Sequence, residues 1–168
     1  MALNRFISRA TNRCLPFFRI LKKAFEWINE CQNAFEELKA YLVSSPLLSP
    51  SKPDEKLFLY LVVSPTVVSS ALIREEDHVQ MPVYYINRAL TGAKERYPPM
   101  KKLAFVLITA AHKLRPYFQT HTIVVQTNKP LRKTMDNLED VEQLVLWAIK
   151  LSEFDIWYRS RTVIKARP

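Results

Sequence analysis

The stretch KLFLYLVVSPTVVSSALIRE, residues 56–75, contains two apolar runs separated by Ser64-Pro65-Thr66. Almost every position from Leu57 to Val63 is apolar, a pattern typical of a strand buried on both faces of a sheet. Proline fixes φ and serine hydrogen-bonds the local backbone, so the three residues between the runs predict a turn. We therefore expect a β-hairpin at the centre of a sheet.

Composition and charge limit the class of protein. The 168 residues suffice for one full domain, and 48% hydrophobic with 24% charged residues is ordinary for a globular chain. The single glycine, Gly92, excludes a glycine-dependent phosphate loop. The net charge of +9 is clustered, with nine basic residues against Glu95 alone between Lys94 and Lys133. Such clusters favour a polyanionic partner, most simply nucleic acid bound without sequence preference.

The cysteines and the apolar runs bear on the compartment. Cys14 and Cys31 have no CxxC spacing and are too few for a disulfide framework, which favours a reducing compartment. We therefore expect an intracellular protein, cytoplasmic or nuclear and not secreted. No apolar run approaches the ~18 residues that a membrane span requires, so no membrane partner is expected.

The periodicities along the chain predict an order of elements. Short helices are expected at 3–10, 16–25 and 30–43, followed by a proline-bounded linker, so residues 1–50 form a helical segment and 51–168 the main domain. After the hairpin come a strand at 81–87, a helix to Leu114, a strand at 122–126, helices at 129–135 and 141–152, and a last strand at 154–158. The predicted order is β-β-β-α-β-α-α-β, an α/β fold with a mixed sheet.

Several separated motifs resemble one family. RYPPMKKLAFVLITAAHKLRPYF at 96–118 looks like the central helix of the ribonuclease H domain in Ty3/Gypsy LTR retrotransposon polyproteins. PVYYINRAL at 82–90, IVVQTNKPL at 123–131 and LVLWAIKLSEFDIWY at 144–158 resemble strands and helices of the same domain. Residues 1–50 resemble the end of the reverse transcriptase thumb and the connector that follows it. The resemblance implies a ribonuclease H-like fold, truncated at its C-terminus, in a polyprotein fragment.

The resemblance also implies where catalytic residues would stand. Active members cleave the RNA of RNA:DNA hybrids with two Mg²⁺ ions, which several carboxylates hold. Matched residue by residue, the family's acids fall on Val62, Lys101 and Asn128, and a fourth would lie beyond Ala166. We therefore expect no catalytic residue, no metal site and no cofactor. The sequence most resembles those of plant elements, in which a degenerate copy of the domain acts as a tether between polymerase and nuclease.

The remaining function is then binding or architecture. Basic residues flank the central helix and the turn after the fourth strand, where they are expected to contact nucleic acid: Lys94, Arg96, Lys101, Lys102, Lys129, Arg132 and Lys133. The expected partners are nucleic acid, with RNA:DNA hybrid among the candidates, and the neighbouring polymerase and nuclease domains. Two alternatives stay open, an active ribonuclease H and a domesticated or remnant interaction protein.

Overall fold

A computed structural model describes residues 13–17, 27–44, 48–136 and 142–161. The predicted helix at 3–10 lies outside the described residues, and of the helix predicted at 16–25 only residues 16 and 17 are described, within a helical segment at 13–17. The third predicted helix is present as α1, Asn29–Ser44. Among the described residues, no helix is both long and apolar enough to cross a membrane.

A five-stranded mixed sheet forms the centre of the molecule. Its strands are β1 (Leu57–Val63), β2 (Val67–Glu76), β3 (Val79–Ala89), β4 (Ile123–Gln126) and β5 (Ile156–Arg159). They lie in the order β3-β2-β1-β4-β5, with β1 antiparallel to β2, β2 antiparallel to β3, and β1, β4 and β5 mutually parallel. The predicted hairpin is confirmed, with Ser64 closing its turn through hydrogen bonds to Val67.

The helices follow the predicted order with one addition. They are α2 (Pro99–Lys113), α3 (Arg115–Thr120), α4 (Leu131–Asp136) and α5 (Glu142–Leu151), and a 3₁₀ turn at Gly92–Arg96 precedes α2. The separate α3 was not predicted; it begins after Leu114, and Pro116 lies in its first turn, where a missing amide is tolerated. Helix α4 begins two residues later than expected, because Thr127 accepts a hydrogen bond from the Lys129 amide and holds a turn there.

The core lies between one face of the sheet and α2. Ten consecutive residues of α2, from Lys102 to Ala111, are buried because the sheet covers one side of the helix and α4 and α5 lie on others. Leu57, Leu59 and Leu61 of β1 contribute to this core. The expectation that β1 is buried on both faces is wrong at its end: Val62, on the opposite face, is 42% exposed.

Helix α1 and the linker contact the sheet at β3. The amide of Ser49 donates a hydrogen bond to the Pro82 carbonyl at 2.7 Å. Burial, together with the neighbouring Tyr41 of α1, raises the pKa of Tyr85. Tyr41 also lies under the guanidinium of Arg13, 4.0 Å from the ring centroid. The division at residue 50 stays a prediction.

Candidate nucleic-acid interface

A groove of about 510 Å³ opens where β1 and β4 end and α2 begins. Parallel strands bring their carboxyl ends to the same edge of a sheet, so the turns after β1 and β4 meet here beside the first turn of the helix. Residues from these three elements, together with one residue after β5, line the groove: Leu61, Val63, Ser64, Pro65, Tyr97, Pro99, Lys102, Leu103, Thr127, Asn128, Lys129 and Arg161.

Lys102 is the buried cation of the groove. The residue is 7% exposed, and its Nζ donates a hydrogen bond to the carbonyl oxygen of Pro65 at 2.8 Å. Its position in the first turn of α2 directs the side chain toward the β1–β2 turn. The contact ties the hairpin turn to the helix, and it places a positive charge in poorly solvated surroundings.

Arg161 closes the groove from the side of β5. Its Nη2 donates a hydrogen bond to the carbonyl of Leu61 at 2.7 Å and its Nε to that of Gln126 at 3.3 Å. The guanidinium also lies 5.5 Å from the centroid of the Tyr60 ring. Arg161 therefore caps the ends of β1 and β4 with donors and leaves a positive charge at the groove.

The turn after β4 completes the lining. The Thr127 amide donates to the Arg159 carbonyl at 3.1 Å, which continues the pairing of β4 with β5 by one residue. The Thr127 hydroxyl then accepts a hydrogen bond from the Lys129 amide at 3.1 Å. This turn holds Asn128 and Lys129 at the groove, where both side chains are exposed.

The groove is cationic. Lys102, Lys129 and Arg161 line it, and among the residues that the structure describes its lining contains no aspartate or glutamate. Within the described ranges, no group of three or more His, Cys, Asp or Glu side chains is placed to hold a metal ion. A pair of Mg²⁺ ions needs several carboxylates, whereas the neutral oxygens here belong to Ser64, Thr127, Asn128 and the backbone. The groove residues therefore do not fit a magnesium pair, and the lysine and arginine charges would repel one.

The structure separates the three positions matched to the family's acids. Asn128 lines the groove. Val62 lies on the other face of β1, because side chains alternate along a strand and Leu61 and Val63 face the groove. Lys101 points to Tyr97, with its Nζ 4.3 Å from the ring centroid. The cation expected at Lys101 is instead supplied by Lys102, one residue later on the helix.

The basic residues predicted to contact nucleic acid occupy several places. Lys102 and Lys129 line the groove, and Lys101 lies at its edge beside Tyr97. Lys94 packs on the Phe105 ring at 5.2 Å. The remaining three are exposed: Arg96 and Lys133 on the surface, and Arg132 beside a second cavity of about 550 Å³ formed with α5 and β5.

Sequence reasoning missed Arg161 as a groove residue. Its place at the groove depends on the pairing of β5 with β4, which sequence spacing does not reveal. Two acidic residues near the hairpin form ion pairs outside the groove. Buried Arg74 pairs with Glu55 and Glu76, each at 3.1 Å, and Glu76 also pairs with Lys52.

Comparisons of the sequence identify related proteins. Residues 27–125 match the family model described as the RNase H-like domain found in reverse transcriptase. The retrovirus-related Pol polyprotein from transposon 412 of Drosophila melanogaster is 27% identical over 155 residues, 90% of this chain and 12% of that polyprotein. The transposon Tf2-3 polyprotein of Schizosaccharomyces pombe is 24% identical over 161 residues, 91% of this chain and again 12% of the relative. The chain thus spans a small part of these relatives.

Solved structures share the fold. The foamy viral protease-reverse transcriptase dRH in complex with double-stranded DNA superimposes with a TM-score of 0.76 at 16% identity, covering 99% of this chain and 30% of that one. The foamy viral protease-reverse transcriptase in complex with RNA/DNA hybrid gives the same TM-score and identity, covering 99% and 25%. The mixed five-stranded sheet with its helices is therefore the ribonuclease H-like fold, as the sequence predicts.

Proposed function

The chain belongs to the RNase H-like domain family found in reverse transcriptases, and on that premise we propose that it is a non-catalytic member. In this proposal it is a connection domain of a retrotransposon reverse transcriptase, of the plant-type lineage in which such a copy tethers polymerase to nuclease. The single observation that carries the proposal is the lining of the groove, whose described residues include three cations and no carboxylate.

Electrostatic repulsion disfavours metal-dependent catalysis at this groove. Hydrolysis by two metals requires a pair of dications that activate water and stabilise the leaving oxygen. Each dication would enter a groove that already holds the charges of Lys102, Lys129 and Arg161. With Lys102 buried, water screens its charge poorly and repulsion is strong. The groove therefore disfavours the metals that the reaction needs.

Nucleic acid is the proposed ligand, held through its phosphates. The groove cations and the exposed Arg96, Arg132 and Lys133 provide positive charge without an arrangement for reading bases. The foamy viral relatives of this fold were solved with double-stranded DNA and with RNA/DNA hybrid, which makes both duplexes the first ligands to test.

The proposed protein partners are the neighbouring domains of a parent polyprotein. The curated relatives are polyproteins of which the chain covers 12%, so further domains flank the matching segment in them. Leu146 and Ile149 of α5 and Trp157 of β5 are each more than half exposed, which leaves apolar surface for such a neighbour.

The proposed location is cytoplasmic or nuclear. Cys14 and Cys31 are free thiols, in keeping with that location.

The experiment combines cleavage with binding on the purified chain. A labelled RNA:DNA hybrid is incubated with Mg²⁺ or with EDTA, beside an active ribonuclease H as positive control. We expect no cleavage above the EDTA background, and binding of hybrid whose affinity falls linearly with salt on logarithmic axes. Mg²⁺-dependent cleavage by this chain would overturn the non-catalytic assignment, and absence of salt-dependent binding to any nucleic acid would overturn the binding role.

A further inference from the structure

We infer that the groove binds a single phosphate group directly, through Lys102, Lys129 and Arg161. This inference rests on the proposed function and specifies the chemistry of its ligand. A phosphodiester carries one negative charge and two free oxygens, and it needs donors and positive charge in place of metal ligands.

The positive charge of Lys102 has no acidic partner among the described residues. The residue is buried, and the one hydrogen bond of its ammonium in the structure goes to a neutral carbonyl, that of Pro65. Within the described part of the chain, the ion pairs involve Lys39, Lys52 and Arg74, and none involves Lys102. Buried charges in proteins are normally paired, since an isolated ion loses its hydration without compensation. An anion in the groove supplies the missing charge.

Lys102 and Arg161 retain N–H donors for a ligand. An ammonium has three N–H groups and Lys102 uses one of them on Pro65, so two are left for a ligand. A guanidinium has five, of which Arg161 directs two to the carbonyls of Leu61 and Gln126. Those backbone bonds hold Arg161 in place, so little side-chain entropy is lost when it binds an anion. Lys129 and Asn128 add exposed donors from the Thr127 turn.

The volume of the groove and the electrostatic field at its edge suit a phosphate. A groove of about 510 Å³ has the size of an ordinary small-ligand site, sufficient for a phosphate with its attached sugar. It lies at the N-terminal end of α2, a helix of 15 residues whose dipole also favours negative charge there. Tyr97 forms part of one wall and offers an aromatic face to a sugar or base.

The test is a titration of the intact chain with inorganic phosphate at constant ionic strength. Backbone amide NMR shifts are followed in the original chain, in Arg161→Gln and Lys129→Gln, and in Lys113→Gln as control. Lys113 is exposed at the opposite end of α2. We expect saturable shifts at Leu61, Leu103, Thr127 and Asn128, insensitive to EDTA. The dissociation constant should rise roughly tenfold in Arg161→Gln, the loss of one charge-assisted hydrogen bond, and stay unchanged in Lys113→Gln.

The outcomes distinguish this inference from the proposed function. Shifts spread evenly over the basic surface, or equal constants in all variants, would overturn the groove site while hybrid binding and the lack of cleavage still stand. Saturable phosphate shifts at the groove in a chain that fails to bind hybrid would uphold the site and overturn the nucleic-acid role. Should Arg161→Gln fail to fold, the dissociation constant of Lys129→Gln alone tests the groove site. That variant should fold, because the Lys129 side chain is exposed and forms no part of the core.

Discussion

The Nζ of Lys102 lies 2.8 Å from the carbonyl oxygen of Pro65, so the side chain of a buried lysine joins the first turn of α2 to the turn of the central hairpin. Asn128, one of the positions matched to the family's acids, lines the same groove as Lys102. The contact of Lys102 with Pro65 makes two opposing contributions to the free energy of unfolding: the hydrogen bond stabilises the folded state, and desolvation of the charge destabilises it. Which of them prevails can be measured by substitution.

Replacing Lys102 by methionine should change the free energy of unfolding by less than about 1 kcal/mol, because removing the desolvated charge offsets the lost hydrogen bond. Lys102→Ala, which also removes the buried aliphatic stem, should cost roughly 2 kcal/mol. Urea unfolding in phosphate-free buffer measures both. A loss above about 3 kcal/mol in the methionine variant would mean that the Pro65 contact itself dominates, contrary to the balance argued here.

The buried ion pair at the other end of β2 should contribute more to the free energy of unfolding than the contact between Lys102 and Pro65. Arg74 has a side chain 6% exposed and contacts Glu55, 17% exposed, at 3.1 Å. Glu55→Gln should lower the free energy of unfolding by about 2 kcal/mol, less than a fully broken buried pair because Glu76 still contacts Arg74.

The matched control for that pair is Glu36→Gln, which breaks the exposed Lys39–Glu36 pair within α1. It should change the free energy of unfolding by less than about 0.5 kcal/mol, because water screens exposed charges. Equal losses in the two variants would show that burial of Arg74 does not set the energy of its pair.

Acid should weaken the contact between the linker and β2. A hydrogen bond from Lys52, with the charges of Lys52 and Arg74, holds the pKa of Glu76 below its ordinary value of 4.5. A lowered pKa in the folded state means that this contribution is present above 4.5 and is lost as pH falls through the lower folded value.

Carboxyl-carbon NMR across an acid titration checks this. Glu76 should titrate below 4.5 in the original chain and move upward in Lys52→Gln, because the first cause of the shift is removed. A Glu76 pKa that is the same in both chains would contradict the assigned cause.

Much of the fold was predictable because local chemistry and long-range packing agree. The Ser64-Pro65-Thr66 turn lies between two apolar runs, and the apolar spacing around Leu107 marks one face of a long helix. The start of α4 was misplaced, because the Thr127 hydroxyl holds a turn that the helical spacing alone does not reveal. Helix α3 was missed for a similar reason, since Pro116 divides it from α2 while still permitting a helical first turn.

The groove was less predictable, because its lining depends on which way side chains point. In an all-apolar run such as Leu57 to Val63, nothing in the sequence states which alternate set faces the helix. Counting residues from a resemblance therefore selected Val62 and Lys101, while Val63 and Lys102 line the groove. Arg161 reaches Leu61, 100 residues away, only because β5 joins the sheet beside β4.

The central claim, that this groove does not accept a metal pair, is tested most directly by titrating the chain with Mn²⁺ and following paramagnetic broadening of backbone amide signals. We predict no broadening centred on Leu61, Leu103 and Thr127. The double variant Asn128→Asp, Lys129→Glu, which adds two carboxylates to the groove, provides the control in which broadening should appear there. Saturable broadening at the groove of the original chain would contradict the account.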